Sequence, residues 1–262
     1  MHLDPSRLGA AAALAARAHA SPTRAGTSTP DMAHALAVAS LAIEDSGSEN
    51  QVLAALLHDT IEVGGVAFSV EIQSGFGHTV LGLVEACSDS TTEGKAAAAI
   101  PEAKRPDWRR RKLDFLARLE QEDEGILLVA ACAMLHRVRA IVTDLERFGP
   151  AVFDRIGAGR EGTLWYYGEA ERALRARGCP VAPAMAKAVA RLQELAVSAD
   201  SIEEAVSALA AELPARQRRK LLHLLEVWSA DAQRSVRLGS QTIAAVSQQQ
   251  QQVIAARLQL PS

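Results

Sequence analysis

The apolar run Leu53–Ala54–Ala55–Leu56–Leu57 ends in His58 and Asp59, and Glu62 follows about one turn later. A neutral imidazole beside an ionised carboxylate suits a divalent first-row cation. On a helix, residues three and four apart share a face, so Glu62 projects to the same side as Asp59 and His58. That spacing allows a metal ion with an acid/base carboxylate beside it. A further histidine, His34, lies upstream. Taken alone, the doublet also reads as a buried histidine hydrogen-bonded to its neighbour. The elements around it have to decide between the two.

Those elements read as helices throughout, with no sustained strand alternation. Thr29–Pro30 has the form of an N-cap with proline at the first helical position, and opens a helix to about Asp45. Gly47 ends it. Ser48-x-x-Gln51 is a capping box that starts the helix carrying the doublet, and Gly64–Gly65 stops that helix just past Glu62. Ser69 is expected to cap a short helix, and residues 77–86 form another. Residues 88–107, rich in Ser, Thr, Ala and Pro, make a loop of the length that lids often have. Helices follow over 108–119, basic at its start, over 124–148 and over 161–177. Gly178–Cys179–Pro180–Val181–Ala182–Pro183 breaks the chain.

The organisation is therefore all-α, with a domain over 1–178 and a helical extension over 184–262. The extension has an amphipathic helix over 184–198, a capping box at Ser201–Glu204, and a stripe of Leu221, Leu222, Leu225 and Trp228. It closes with the tract Gln248–Gln252, of a composition expected to fray. Its apolar stripes suit docking on the first domain or pairing with a second copy of the chain.

Of the 262 residues, 48% are hydrophobic and 23% charged, near the averages of globular proteins. A net charge of −3 and only 4% aromatic residues provide neither the basic field nor the stacking surface of a nucleic-acid binder. Cys87, Cys132 and Cys179 are odd in number and lack CxxC spacing, which favours reduced thiols in a cytoplasmic protein over a structural zinc site. The longest uninterrupted apolar run, Gly125–Leu135, is shorter than a membrane span, so no membrane association is expected. The alanine-rich start, Leu8–Ala16, is followed at once by Arg17 and His19 and reads as a first helix.

Ordered blocks of the sequence resemble the HD phosphohydrolases, in particular the (p)ppGpp-hydrolase-like branch of RelA/SpoT and its short stand-alone relatives. Residues 17–39, with His19, Arg24 and His34, resemble the opening "AHxGQxRxxGxPYxxHxxxVA". Residues 54–62 resemble "AALLHDxxED". Gly75–Phe76–Gly77 with Leu83–Asp89 resembles "FGxxVxxxVxxxSD", and Trp108–Leu113 resembles "WRERKxxY". Leu135–Ile141 resembles "ADKLHNxRAI", and residues 159–167 resemble "GxEGxLWYY". The resemblance covers roughly 8–178. It implies an HD-domain helical bundle, a metal held by His34, His58 and Asp59, Mn2+ as cofactor, and a small nucleotide such as ppGpp as substrate. It further implies Glu62 as the catalytic carboxylate and Arg24, Arg111, Lys112 and Arg137 as residues facing nucleotide and phosphates.

Departures from the pattern bear on activity. Ala133 stands where the family has its fourth metal ligand, an aspartate, and no acid lies between Gly125 and Val142 to replace it. Arg137 stands for asparagine, Val63 for the second acid of "ED", and Asp31 for tyrosine. Two expectations follow: a metal-dependent phosphohydrolase of reduced activity, or an inactive HD protein that keeps the pocket as a nucleotide-binding or interaction module.

Overall fold

The HD doublet is placed by a short helix buried on every side. In the segment Val52–Leu57 each residue is 2% exposed or less, the mark of a helix at the centre of a core rather than on its surface. The description of this computed structural model covers residues 2–20, 23–24, 27–88 and 104–196 and the isolated positions 214, 217, 219, 220 and 223. Residues 89–103 of the long loop, the Ser201–Glu204 box, the Leu221–Trp228 stripe and the glutamine tract lie outside the described residues.

Among the described residues the secondary structure is helical, apart from one isolated bridge between Thr23 and Pro30. In chain order the helices are α1 (Pro5–Ala18), α2 (Met32–Glu44), α3 (Glu49–Leu57), α4 (Thr60–Gly64), α5 (Ala67–Phe76) and α6 (His78–Cys87). Then come α7 (Lys104–Leu119), α8 (Glu124–Phe148), a 3-10 turn (Pro150–Arg155), α9 (Gly159–Ala176) and α10 (Ala182–Leu195). The expected all-α class is met.

The chain forms two compact units. The first comprises Met1–Arg139 and Arg155–Val189, the second Ala140–Asp154 and Ala190–Ser262. In the first unit α3 packs against α1, α2 and α6, and α7 packs against α9. The α2–α3 connection is tight. Gly47 N donates to Ala42 O at 2.8 Å, and a Cβ at Gly47 would press on that same carbonyl. α3 opens with both halves of the capping box: Ser48 Oγ accepts from Gln51 N, and Gln51 Oε1 accepts from Ser48 N at 2.7 Å. Gln51 Nε2 also donates to Gly125 O at 3.3 Å, tying the start of α3 to the start of α8. Arg177 donates to the carbonyls of Leu119, Glu120 and Glu122, closing the C-terminal end of the basic helix α7. In the second unit Leu145, Val152 and Phe153 are buried, and Arg191 donates to Glu146 and Glu194.

Several element bounds differ from the sequence expectation: α7 starts at Lys104 and α9 at Gly159, and the helix expected to run from Ser48 past Glu62 breaks at His58–Asp59 into α3 and α4. α2 begins at Met32 rather than Pro30, because Thr29 is used otherwise: its carbonyl accepts from Arg24 N, and its N–H donates to Thr27 Oγ1. Pro30 is consequently held in the bridge with Thr23. Ser69 lies within α5, one turn inside a helix that starts at Ala67, and its hydroxyl donates back to Val66 O.

The apolar run in α8 also extends further than the sequence reading allowed. By length and composition alone α8 could cross a membrane. More than half of that window is buried in the protein, and the helix carries His136, Arg137 and Arg139, which identifies it as a core helix.

Candidate metal centre

α3 ends at Leu57, so the doublet occupies the joint between two helices. His58 caps the C-terminal end of α3 and Asp59 caps the start of α4. Gly65, at φ 98°, then ends α4 in a conformation that favours glycine. Fixed by the buried α3, the joint faces the first turn of α2, which carries Asp31 and His34. It also faces the middle of α8, which carries His136 and Arg137.

His34, His58 and Asp59 converge. His34 Nε2 lies 3.1 Å from His58 Nε2 and 3.6 Å from Asp59 Oδ2, and His58 Nε2 lies 3.3 Å from Asp59 Oδ1. Two donors each about 2.1 Å from a tetrahedral ion are about 3.4 Å apart. His34 meets Oδ2 and His58 meets Oδ1 of the one carboxylate, and with one ligand atom taken from each residue the three lie within 4.8 Å of one another, so the cluster suits a divalent ion, with further positions left for water. Both histidines are buried and Asp59 is largely so.

The imidazoles are oriented by hydrogen bonds behind them. The Ala55 carbonyl can only accept, so the 2.8 Å contact from His58 Nδ1 places the proton on Nδ1. In the neutral ring Nε2 is then left with its lone pair facing the cluster. On the far side of His34, its Nδ1 lies 2.6 Å from His136 Nδ1. Without an ion, His34 Nε2–H can donate to His58 Nε2 while His136 donates to His34. With an ion, His34 shifts its proton to Nδ1 and donates to His136. Backing of this kind fixes tautomer and ring orientation at metal sites.

Protonation follows the same geometry. Burial, then the charge of Arg137, lowers the pKa of His34 well below the ordinary histidine range, keeping the ring in its ligand form. Burial, followed by Arg137 and Arg24, lowers His136 to about 4. For Asp59 burial acts upward, but the adjacent His58 ring, then Arg137 and His34, outweigh it and hold the carboxyl well below its usual range.

The fourth family position is an alanine, half-buried on α8. One turn later on the same face, Arg137 leans back towards it, as helical side chains do. Its guanidinium donates from Nη2 to Asp59 Oδ2 at 2.9 Å and from Nη1 to Asp31 Oδ1 at 3.5 Å. Burial opposes the charge on Arg137, but the Asp59 and Asp31 carboxylates prevail and raise its pKa.

The remaining candidates lie on α4, before α2 and on α7. Glu62 is half-buried on α4. Arg24 is half-buried before α2, close enough for its charge to act on His136. Arg111 is half-buried on α7. On the same helix Lys112 sits with Nζ 4.8 Å from the Tyr166 ring centre, in an aromatic group of Trp108, Trp165 and Tyr166. The aromatic residues of α9 thus pack against α7. The charges of Lys112 and Arg137 both reach Tyr167, whose pKa burial nevertheless raises to about 12.

Sequence reasoning gave no site role to His19, Asp31 or His136. His136 lies in the block Leu135–Ile141, and its 2.6 Å contact with His34 brings it into the site. Asp31 was noted as a departure, and its place one turn before His34 was the available signal. His19, at the C-terminal cap of α1, is 4% exposed, and neither ring nitrogen has a hydrogen-bond partner among the described residues. Burial lowers its pKa, while the charges of Asp59 and Asp31 act upward.

No curated protein sequence matches the chain. Among solved structures, a metazoan SpoT ortholog described as hydrolysing ppGpp superposes with TM-score 0.53 at 18% identity, covering 72% of this chain and 96% of the other. The protein lmo0812 of Listeria monocytogenes EGD-e superposes with TM-score 0.51 at 18% identity, covering 63% and 99%. At such identity the agreement concerns the fold. The family model described as "HD domain" matches residues 11–164, more than half of the sequence and the stretch that holds His34, His58, Asp59 and the α8 residues facing them. With the histidine–aspartate joint inside that stretch, the chain belongs to the HD-domain family.

Proposed function

We propose that this protein is a metal-dependent phosphohydrolase-like protein of the (p)ppGpp 3′-pyrophosphohydrolase type, with activity reduced by the loss of the fourth ligand to Ala133. The observation that carries the reading is the cluster of His34 Nε2, His58 Nε2 and the Asp59 carboxylate, whose ligand atoms lie within 4.8 Å of one another. The fold shared with a protein described as hydrolysing ppGpp supports the choice of substrate. His34, His58 and Asp59 would hold the ion, with Mn2+ as the first candidate. A bound ion of this kind lowers the pKa of its water and polarises phosphorus.

The chain's own residues supply the remainder. Glu62 orients the attacking water and takes its proton as the water oxygen bonds to phosphorus and the bond to the ribose 3′ oxygen breaks; that oxygen takes up a proton from water, and pyrophosphate and the 3′-hydroxyl nucleotide are released. Val63 leaves Glu62 without a second acid beside it. Arg24 holds the nucleotide through its planar guanidinium, and Arg111, Lys112 and Arg137 meet phosphate oxygens. Such a protein acts in the cytoplasm and pairs with a second copy of the chain through residues 184–262.

One observation favours the inactive alternative: Arg137 already sits 2.9 Å from the Asp59 oxygen that a metal would use. Pyrophosphate release from ppGpp in Mn2+, alongside calorimetric ppGpp binding, separates the two. Slow release that disappears in His58→Ala and Glu62→Gln supports the enzyme. Binding without release supports the nucleotide-binding module, and neither binding nor release refutes both.

A further inference from the structure

The geometry points to Arg137 as a tethered cation standing in the place of the divalent ion, and to Asp31 as the carboxylate that replaces the lost fourth ligand. The inference rests on reading His34, His58 and Asp59 as a metal-type donor set. Three departures in sequence, Asp31, Ala133 and Arg137, meet in one contact network. The guanidinium of Arg137 donates to Asp59 at 2.9 Å and to Asp31 at 3.5 Å, and Ala133, one turn earlier on the same helix face, leaves the carboxylate position on α8 empty.

The charges explain why these departures belong together. The family pattern has two carboxylates and two imidazoles around a divalent cation. Here two carboxylates, Asp31 and Asp59, hold a guanidinium, and the Asp59 carboxylate also meets the two imidazoles of His34 and His58. Losing the carboxylate on α8 while gaining one on the first turn of α2 keeps the donor chemistry and moves its origin. Asp31 lies one turn before His34 and reaches the centre through Arg137, standing outside the cluster of His34, His58 and Asp59 until the guanidinium is removed. An ion at bonding distance, about 2.1 Å, from Asp59 Oδ2 would sit within about 5 Å of Arg137 Nη2, so ion and guanidinium compete for one oxygen.

Arg137 is therefore a positioning residue that excludes metal, and removing it should uncover a four-donor site that depends on Asp31. Mn2+ binding, read from the loss of the free-ion electron paramagnetic resonance signal, tests this on the full chain without recourse to activity. Wild type and Arg137→Lys, which keeps a cation on the same face, should both bind weakly. Arg137→Gln should bind one ion per chain at least tenfold more tightly, and Arg137→Gln with Asp31→Asn should lose most of that gain. If Arg137→Gln is unfolded without ion, Mn2+ should restore its thermal transition. Equal Mn2+ affinity in wild type and Arg137→Gln, or failure of Mn2+ to restore an unfolded variant, overturns the role of Arg137. A double variant that keeps the full gain overturns the role of Asp31. Neither result depends on whether ppGpp is bound or cleaved.

Discussion

A site built from neutral imidazoles should make the protein sensitive to mild acid. His136 is held at about 4 instead of the ordinary 6.5, and burial also lowers His19 and His34. In the unfolded chain each of these takes up a proton as pH falls through 6.5, while the folded form does so only at lower pH. The unfolded state therefore binds more protons in that window, and stability falls with pH. At pH 5 the unfolded chain is 1.5 units below the ordinary value and His136 is still neutral when folded. At about 1.4 kcal/mol per unit, His136 alone costs about 2 kcal/mol relative to pH 7.5. His19 and His34 add in the same direction. Asp59 works in a different window: its carboxyl is depressed, so its contribution is complete above the unfolded value and is lost only as pH falls through the folded one, below about 4. For a protein of this size 2 kcal/mol is a fall in Tm of about 4–8 °C. Thermal unfolding in EDTA from pH 7.5 to 5 measures it, and His136→Gln should flatten the slope by the His136 share. A Tm that stays constant over that range, or an NMR titration placing His136 near 6.5, would refute the reasoning.

Ala133→Asp with Arg137→Asn should raise Mn2+ affinity at least tenfold, about 1.4 kcal/mol, by calorimetric titration; tight stoichiometric binding in the wild type would contradict it. Ala133→Asp alone should gain less, because the new carboxylate lies one turn from Arg137 and pairs with it. Val63→Asp on the double background should raise the rate of pyrophosphate release more than metal affinity, since that acid acts on water. Ser48→Ala should cost about 1 kcal/mol in urea unfolding by breaking the capping box. Deleting 184–262 should cost about 3 kcal/mol or more through Met185 and Val189, buried in the first unit, at about 1.5–3 kcal/mol each; unchanged urea stability would show that α10 is dispensable.

The elements that carry local signals were legible in sequence. The Ser48 box, the Gly64–Gly65 stop and the long α8 follow from capping chemistry and periodicity, which act over a few residues. The start of α2 was misread because Thr29 spends its backbone groups on Arg24 and Thr27, a choice that depends on how the preceding loop folds back. The convergence of His34 with His58 and Asp59 was legible only through the resemblance, since no local rule relates positions 24 residues apart. The parts of the site that sequence could not place lie on α8 and α2. A guanidinium on a basic stem looks the same in sequence whether it faces phosphate or a neighbouring carboxylate. What decides is the 2.9 Å approach to Asp59, across 78 residues of chain.

The donor cluster and the binding of an ion are separate physical questions. The cluster is held by groups behind it: the Ala55 carbonyl orients His58, His136 orients His34, and the buried α3 fixes the joint that carries Asp59. None of these needs an ion, so the geometry survives substitutions that remove metal affinity. Affinity is decided in front of the cluster, by charge. A guanidinium and a divalent ion about 5 Å apart repel by about 7 kcal/mol at an effective dielectric of 20, and by less than 2 kcal/mol in bulk water. Because the Arg137 side chain is about a third exposed, the protein can avoid that cost by swinging the guanidinium outward, giving up its two carboxylate contacts instead. The smaller of the two costs sets the metal affinity of the wild type. A negatively charged phosphate ester that met Arg137 outside the pocket would lower the second cost. Metal and phosphate should therefore bind this chain more tightly together than either does alone.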